Sequence, residues 1–178
     1  KQAVPAMKHD IAAMVADGGT ALYATLRQAQ SAMLKDLTTD TVIPLQTRTG
    51  GVDPQDFGTS GNPVFSPDGT KVAFESTAQL DPAYPGGFWN IWVKDLATGA
   101  TSIVSTTATG GFGNNNSLSS SYRVAWSPDG TQIAFTSLAT NFVAADTNGL
   151  GDIFIKTVAG PNAGQIMRAS EGTGGVQG

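Results

Sequence analysis

The sequence predicts an all-β fold assembled from repeated antiparallel units, and three observations carry that prediction. One hairpin pattern is written twice: Asn62 to Phe74 reads NPVFSPDGTKVAF, and Tyr122 to Phe135 reads YRVAWSPDGTQIAF. A weaker copy, Ile11 to Ala24, keeps Asp17-Gly18 between apolar stretches but lacks the Ser-Pro. The segments that follow each Asp-Gly also repeat, in the same order. Repetition at a fixed period decides the fold before any single element does.

Each copy reads strand, turn, strand. In the last copy Val124 and Trp126 alternate with Arg123 and Ala125, the period of a half-buried strand. Ser127-Pro128-Asp129-Gly130 then supplies turn chemistry: Pro presets φ, Asp bonds its own backbone, and Gly tolerates positive φ. Ile133 and Phe135 resume the alternation, which completes a β-hairpin. The middle copy does the same with Val64, Phe65, Ser66-Pro67-Asp68-Gly69, Val72 and Phe74.

The Asp-Gly anchors fall at 17, 68 and 129. The second strands are expected to end at Leu26, Ser76 and Ser137. After a variable loop come third strands at Ala32 to Leu37, Ile91 to Leu96 and Ile153 to Val158. Short turns lead to fourth strands at Val42 to Thr47, Thr101 to Ser105 and Gln165 to Ala169. Glycine pairs Gly50-Gly51, Gly110-Gly111 and Gly174-Gly175 then open the next unit. Four strands per unit at this period describe a β-propeller blade. The expected architecture is an arc of about three four-stranded antiparallel blades, at 9–49, 50–109 and 110–173.

Ser-Pro-Asp-Gly-Thr followed by an apolar strand, then a third strand closing on Lys94-Asp95-Leu96 and Thr98-Gly99, resembles the TolB-like β-propeller repeats, WD-repeat-like blades of bacterial proteins. The resemblance spans essentially the whole chain and is strongest in the second and third units. It implies the blade fold and says less about activity, because propellers serve as binding platforms, peptidase gates, lyases and scaffolds alike. Propellers close with four to eight blades. Three blades are therefore expected to belong to a larger ring, with two chains pairing into six blades as the alternative, because an isolated arc leaves strand edges exposed.

Composition narrows the function classes. Apolar residues make up 40% of the 178 residues, enough for a core, while charged residues make up only 13%. A net charge of −4 leaves no electrostatic footprint for a nucleic-acid partner. No apolar run approaches 18 residues, so no membrane-spanning helix is expected. Cysteine is absent, which removes disulfides and thiolate metal sites. The low-lysine, Ser/Thr/Asn/Gly-rich balance leans towards a periplasmic or extracellular bacterial protein.

Two loops between second and third strands carry candidate chemistry. Asp146, Asn148 and Asp152 put three oxygen-bearing side chains on a short glycine-containing loop, and Ca²⁺ is the ion such hard ligands suit. Leu150 offers only a carbonyl at the fifth position, and Thr157 stands where an EF-hand has its bidentate Glu. The competing reading is a polar turn in which Asp and Asn cap backbone amides. In the middle unit, Tyr84, Phe88 and Trp89 lie on a Gly/Pro loop and could form a stacking platform for a carbohydrate or a peptide; the competing reading is packing between blades.

Catalytic constellations are sparse. His9 is the single histidine, and the pectin-fragment lyases that share the resemblance hold their metal with histidines. Gly58-Thr59-Ser60-Gly61-Asn62 falls short of a nucleophile elbow, which needs a final Gly and a strand-to-helix turn. Asp53 and Asp56 read as solvated loop carboxylates. The expected function is a non-catalytic binding or scaffold module, with no cofactor beyond candidate Ca²⁺, recognising a protein partner through one propeller face or packing on further blades. The alternatives are a calcium-stabilised extracellular structural or adhesive repeat protein, and the non-catalytic propeller portion of a larger hydrolase or peptidase.

Overall fold

The computed structural model describes residues 14–17, 20–26, 32–36, 39–49, 58–117, 124–144 and 146–171. Among the described residues, twelve strands form three four-stranded antiparallel sheets, each with its strands in chain order. The first sheet holds β1 (Met14–Asp17), β2 (Thr20–Leu26), β3 (Ala32–Asp36) and β4 (Val42–Pro44). The second holds β5 (Ser60–Phe65), β6 (Lys71–Ser76), β7 (Asn90–Asp95) and β8 (Thr101–Ile103). The third holds β9 (Ala125–Trp126), β10 (Gln132–Ser137), β11 (Asp152–Thr157) and β12 (Ile166–Arg168). This is the expected all-β blade architecture. His9, Asp53 and Asp56 lie outside the described residues.

The repeated hairpin turn is held by its own side chains. Ser66 Oγ donates to Asp68 Oδ1 at 2.6 Å and accepts from the Lys71 amide at 2.9 Å. Asp68 Oδ1 also accepts from the Thr70 amide at 3.1 Å. Ser127, Asp129, Thr131 and Gln132 repeat these bonds at 2.6, 3.0 and 2.9 Å. Gly69 and Gly130 take φ of 70° and 69°, the left-handed region where a side chain is strained. Ser, Asp and Gly are thus each required by a specific bond or dihedral. The Ser hydroxyl first, then the Thr amide and hydroxyl, pull the Asp68 and Asp129 carboxyls down to about 2.

The fourth strands are shorter than expected. Leu45 and Val104 still donate to Ala32 and Ile91 carbonyls, and Ala169 to Ile153, so pairing runs one bond further. At Thr47 and Thr106 the amide then bonds the carbonyl two residues back, and the chain turns out of the ladder towards the next unit.

Neither face of the second blade is polar. In β7, Trp92 points to one side and Ile91 and Val93 to the other, and all three are buried. Consequently the apolar cores lie between blades. One joins Ala32, Leu34 and Leu45 of the first sheet to Phe65, Val72, Phe74 and Trp92 of the second. The other joins Ala73, Ile91, Val93 and Val104 of the second to Val124, Ile133, Phe135 and Phe154 of the third. Phe154 packs edge-on against Phe142 with ring centroids 5.2 Å apart.

A buried lysine crosses each interface. Lys94 Nζ donates to Thr47 Oγ1 at 2.6 Å, on the segment leaving the first blade. Lys156 Nζ donates to the Thr106 and Thr107 carbonyls at 3.0 and 2.8 Å, on the segment leaving the second. The Gly164 carbonyl of its own blade accepts a third bond at 2.8 Å. Burial pushes both ammonium groups below the ordinary lysine range, so the Thr47 hydroxyl and the Thr106 and Thr107 carbonyls must offset desolvation as well as align the blades.

Two predictions follow from this packing and these turns. Phe154→Ala should cost about 3–5 kcal/mol in urea unfolding, the range for removing a buried aromatic ring, and a loss below 1 kcal/mol would contradict an inter-blade core. Folding lowers the Asp129 pKa, so the unfolded chain binds more protons at acid pH. The stability of the protein relative to Asp129→Asn should therefore be constant above about pH 5 and fall as pH drops towards 2. Paired thermal melts across that range read it directly.

Candidate functional site

Strand alternation sorts the connections onto two ends of the arc. The Ser-Pro-Asp-Gly turns and the turns from third to fourth strand share one end. The long loops from second to third strand share the other with the crossovers between blades. Hydrogen bonds bind loop to crossover there: the Trp89 amide donates to Asn116 Oδ1 at 2.9 Å, Asn114 Nδ2 to Thr140 Oγ1 at 3.0 Å, and Arg48 Nε to the Gln79 carbonyl at 2.9 Å. Both candidate loops therefore lie at the same end, in neighbouring blades. Sequence alone left that geometry open because it depends on strand direction.

Within the aromatic loop, the platform reading fails for Tyr84. Its side chain is 1% exposed and packs edge-on against Trp92 and Phe112, with centroids 6.0 and 5.2 Å away. Its hydroxyl donates to the Phe88 carbonyl and accepts from the Phe88 amide, both at 3.0 Å. Tyr84 is thus a core residue that holds the loop closed, with a satisfied polar tip. Phe88 and Trp89 are half-buried. Gly86 and Gly87, at φ of 83° and 100°, let the chain turn between Tyr84 and Phe88.

The acidic loop folds around an arginine that the sequence reading missed. Arg168, on β12, is 4% exposed at its side chain, and its Nη1 lies 3.7 Å from both Asp146 Oδ1 and Asp152 Oδ2. Its Nη2 pairs with Glu171 Oε1 at 3.0 Å, and its Nε donates to the same oxygen at 3.1 Å. Ser170 Oγ donates to Asp152 Oδ1. Asn148 Oδ1 accepts from the Leu150 amide at 3.0 Å, the capping role of a polar turn. Burial first, then the Asp152 carboxylate, raises the Asp146 pKa, against the Arg168 charge.

These residues do not fit a metal ion. The two carboxylates converge on a guanidinium, which occupies the position a cation would need, and Asn148 is turned to its own backbone. Among the described residues no three His, Cys, Asp or Glu side chains are arranged to hold a metal. The signal for Arg168 was in the repeat itself: it stands opposite Phe154 as Ile103 stands opposite Trp92. A charged residue at a position that is apolar in the neighbouring unit requires a buried partner.

Ser60, the hydroxyl of the near-elbow string, is buried at the start of β5 and accepts from the Ala32 amide at 2.7 Å. It stitches two blades together. A cleft of about 390 Å³ runs between the second and third blades, lined in part by Lys71, Ser102, Trp126 and Val158. It opens beside the Lys156 tie.

No family model matches the chain, and no curated protein matches it in sequence. Solved structures do share its shape. The tricorn protease matches over 87% of this chain with a TM-score of 0.50 and 16% identity. A puromycin-hydrolysing peptidase of Mycobacterium tuberculosis also matches over 87%, with a TM-score of 0.52 and 17% identity. An oligogalacturonate lyase in complex with manganese gives 0.48 at 11% identity over 89% of this chain. The chain spans 14%, 22% and 36% of those proteins respectively. At such identities the likeness establishes fold, and that fold is a β-propeller.

Proposed function

We propose that these residues form a non-catalytic propeller segment of a larger peptidase or hydrolase, and that the loop end of the arc contributes to recognition of a protein or peptide. The carrying observation is where the buried charges are spent. Lys94 and Lys156 tie blade to blade, and Arg168 ties the acidic loop to its own sheet. The half-buried Phe88 and Trp89 and the exposed Leu150 at the loop end remain for binding. Two of the proteins that share the shape are peptidases of greater length, which favours this reading over a free-standing scaffold. Composition supports a periplasmic or extracellular setting in a bacterium.

The intact mass of the native protein under denaturing conditions, together with hydrolysis of a panel of aminoacyl and peptidyl amides, tests the proposal. The expected result is a mass well above 18.3 kDa and measurable hydrolysis. A mass of 18.3 kDa without hydrolysis would replace it with a stand-alone binding module.

The structural role of the acidic loop has its own test. Arg168→Met leaves two buried carboxylates without their cation and should cost about 3–5 kcal/mol in urea unfolding. Excess Ca²⁺ should leave the melting temperature of the unmodified protein unchanged. A rise of several degrees would restore the calcium reading.

A further inference from the structure

The cleft between the second and third blades lies where the repeat carries less side-chain volume. Register places Leu34 opposite Ile43 in the first blade, and Val93 opposite Ser102 at the same positions of the second. Two residues after the lysine of each third strand, Leu96 of the second blade corresponds to Val158 of the third. Leu34 belongs to the core between the first two blades, and Leu96 packs against it. The next interface has a smaller side chain at all three positions, and there the cleft of about 390 Å³ opens beside Lys71 and Gly130. Trp126 forms one wall and is half-buried, whereas Phe65, its counterpart in the second blade, is 7% exposed. The Trp126 Nε1 bond to the Val64 carbonyl fixes the ring independently of any ligand.

Two ammonium groups line this cleft, on Lys71 and Lys156. Lys156 is buried, and its Nζ donates to the Thr106, Thr107 and Gly164 carbonyls. Those acceptors are neutral, so they stabilise the ion without cancelling its charge. Among the described residues Lys156 pairs with no carboxylate. Lys71 is held only by long contacts, 3.5 Å to Thr70 Oγ1 and 3.8 Å to Asp95 Oδ2. Asp95 Oδ1 already accepts from the Thr98 amide and hydroxyl, both at 2.8 Å. Apolar walls thus enclose an excess of positive charge, in a chain whose net charge is −4.

We propose that this cleft binds a small carboxylate with an apolar body, either a free acid or the C-terminal residue of a peptide. The body packs on Trp126, between Val93, Val104 and Val158. The carboxylate hydrogen-bonds to Lys71 in place of its long contacts and supplies the countercharge that Lys156 lacks. Ser102 adds a hydroxyl across the strand pair from Val93. The volume falls within the range of small-molecule sites, about 300–1,000 Å³. The site lies beside the Ser-Pro-Asp-Gly turns, apart from Phe88, Trp89 and Leu150, and so goes beyond the loop-end recognition proposed above.

Calorimetric titration of the native full-length protein with hydrocinnamate, with its uncharged amide and with N-acetyl-Ala-Ala-Phe tests the site. Hydrocinnamate should bind at least about tenfold more tightly than the amide, and Lys71→Met should remove most of that difference. Ser102→Ile puts the first blade's residue into the cleft. It should abolish binding while leaving the melting temperature unchanged, because Ser102 is exposed. Equal affinity for acid and amide would overturn the proposal, as would undiminished binding by Ser102→Ile. Absence of saturable binding by all three probes at about 10 mM would overturn it as well. Tighter binding of the peptide than of hydrocinnamate would uphold the site and assign it to a peptide C-terminus; the reverse would uphold it for a free acid. Hydrocinnamate has no bond for a peptidase to cleave, so its binding is read separately from any hydrolysis.

Discussion

The second and third blades have two apolar faces and no interior of their own, and the rest of the structure depends on that constraint. A four-stranded sheet can bury one face only against another sheet. Here every third strand exposes apolar side chains to both sides, so a single blade has no arrangement in which it is stable alone. The two cores, built from Trp92 and Phe74 against Leu34 and from Phe154 and Phe135 against Ile91, are therefore interfaces first. Stability in such an array is a sum of nearest-neighbour terms. Removing one ring weakens one interface, while removing one blade exposes two faces.

Apolar packing alone leaves the blades free to slide, because burial is nearly indifferent to small translations. The buried lysines remove that freedom. An ammonium group among hydroxyl and carbonyl oxygens is favourable in one geometry and costly in its neighbours. Lys94 and Lys156 reach the segment where the previous blade's chain leaves its sheet. Trp126 Nε1, donating to the Val64 carbonyl at 3.2 Å, does comparable work between first strands. The Ser-Asp bonds inside the turns of the second and third blades hold the hairpins that present the apolar faces. Local and inter-blade order are thus linked through a few polar contacts.

The strand order and most strand ends were legible in the sequence, because the period-two alternation and the turn chemistry both act locally. The ends of β2, β6 and β10 at Leu26, Ser76 and Ser137 fall where the pattern puts them. The fourth-strand ends were not legible, because they depend on Thr47 and Thr106 bonding backwards. At the candidate site, sequence identified the loops but not the roles. Tyr84 looked like a surface ring because its neighbours are Pro and Gly, yet its burial is decided by Phe112 from the next unit. Asp146 and Asp152 looked like ligands because nothing local reveals Arg168, which sits about twenty residues further on and a strand away.

Tyr84 and Asp146 occupy equivalent positions, each six residues before the first residue of a third strand, and Ile103 and Arg168 are equivalent on the fourth. The second blade fills this pair of positions with an aromatic and an aliphatic side chain, the third with an ion pair. The turn end, by contrast, has kept the same Ser, Pro, Asp and Gly in both. In these two turns each side chain is committed to a bond or a dihedral, which leaves little room for change, although β1 and β2 of the first blade pair without the Ser-Pro. The loop end must only close over its own blade, and two unrelated chemistries achieve it. The differences between these two blades therefore gather at the loop end, around the half-buried Phe88 and Trp89 and the exposed Leu150, where a side chain can change without disturbing the contacts between blades.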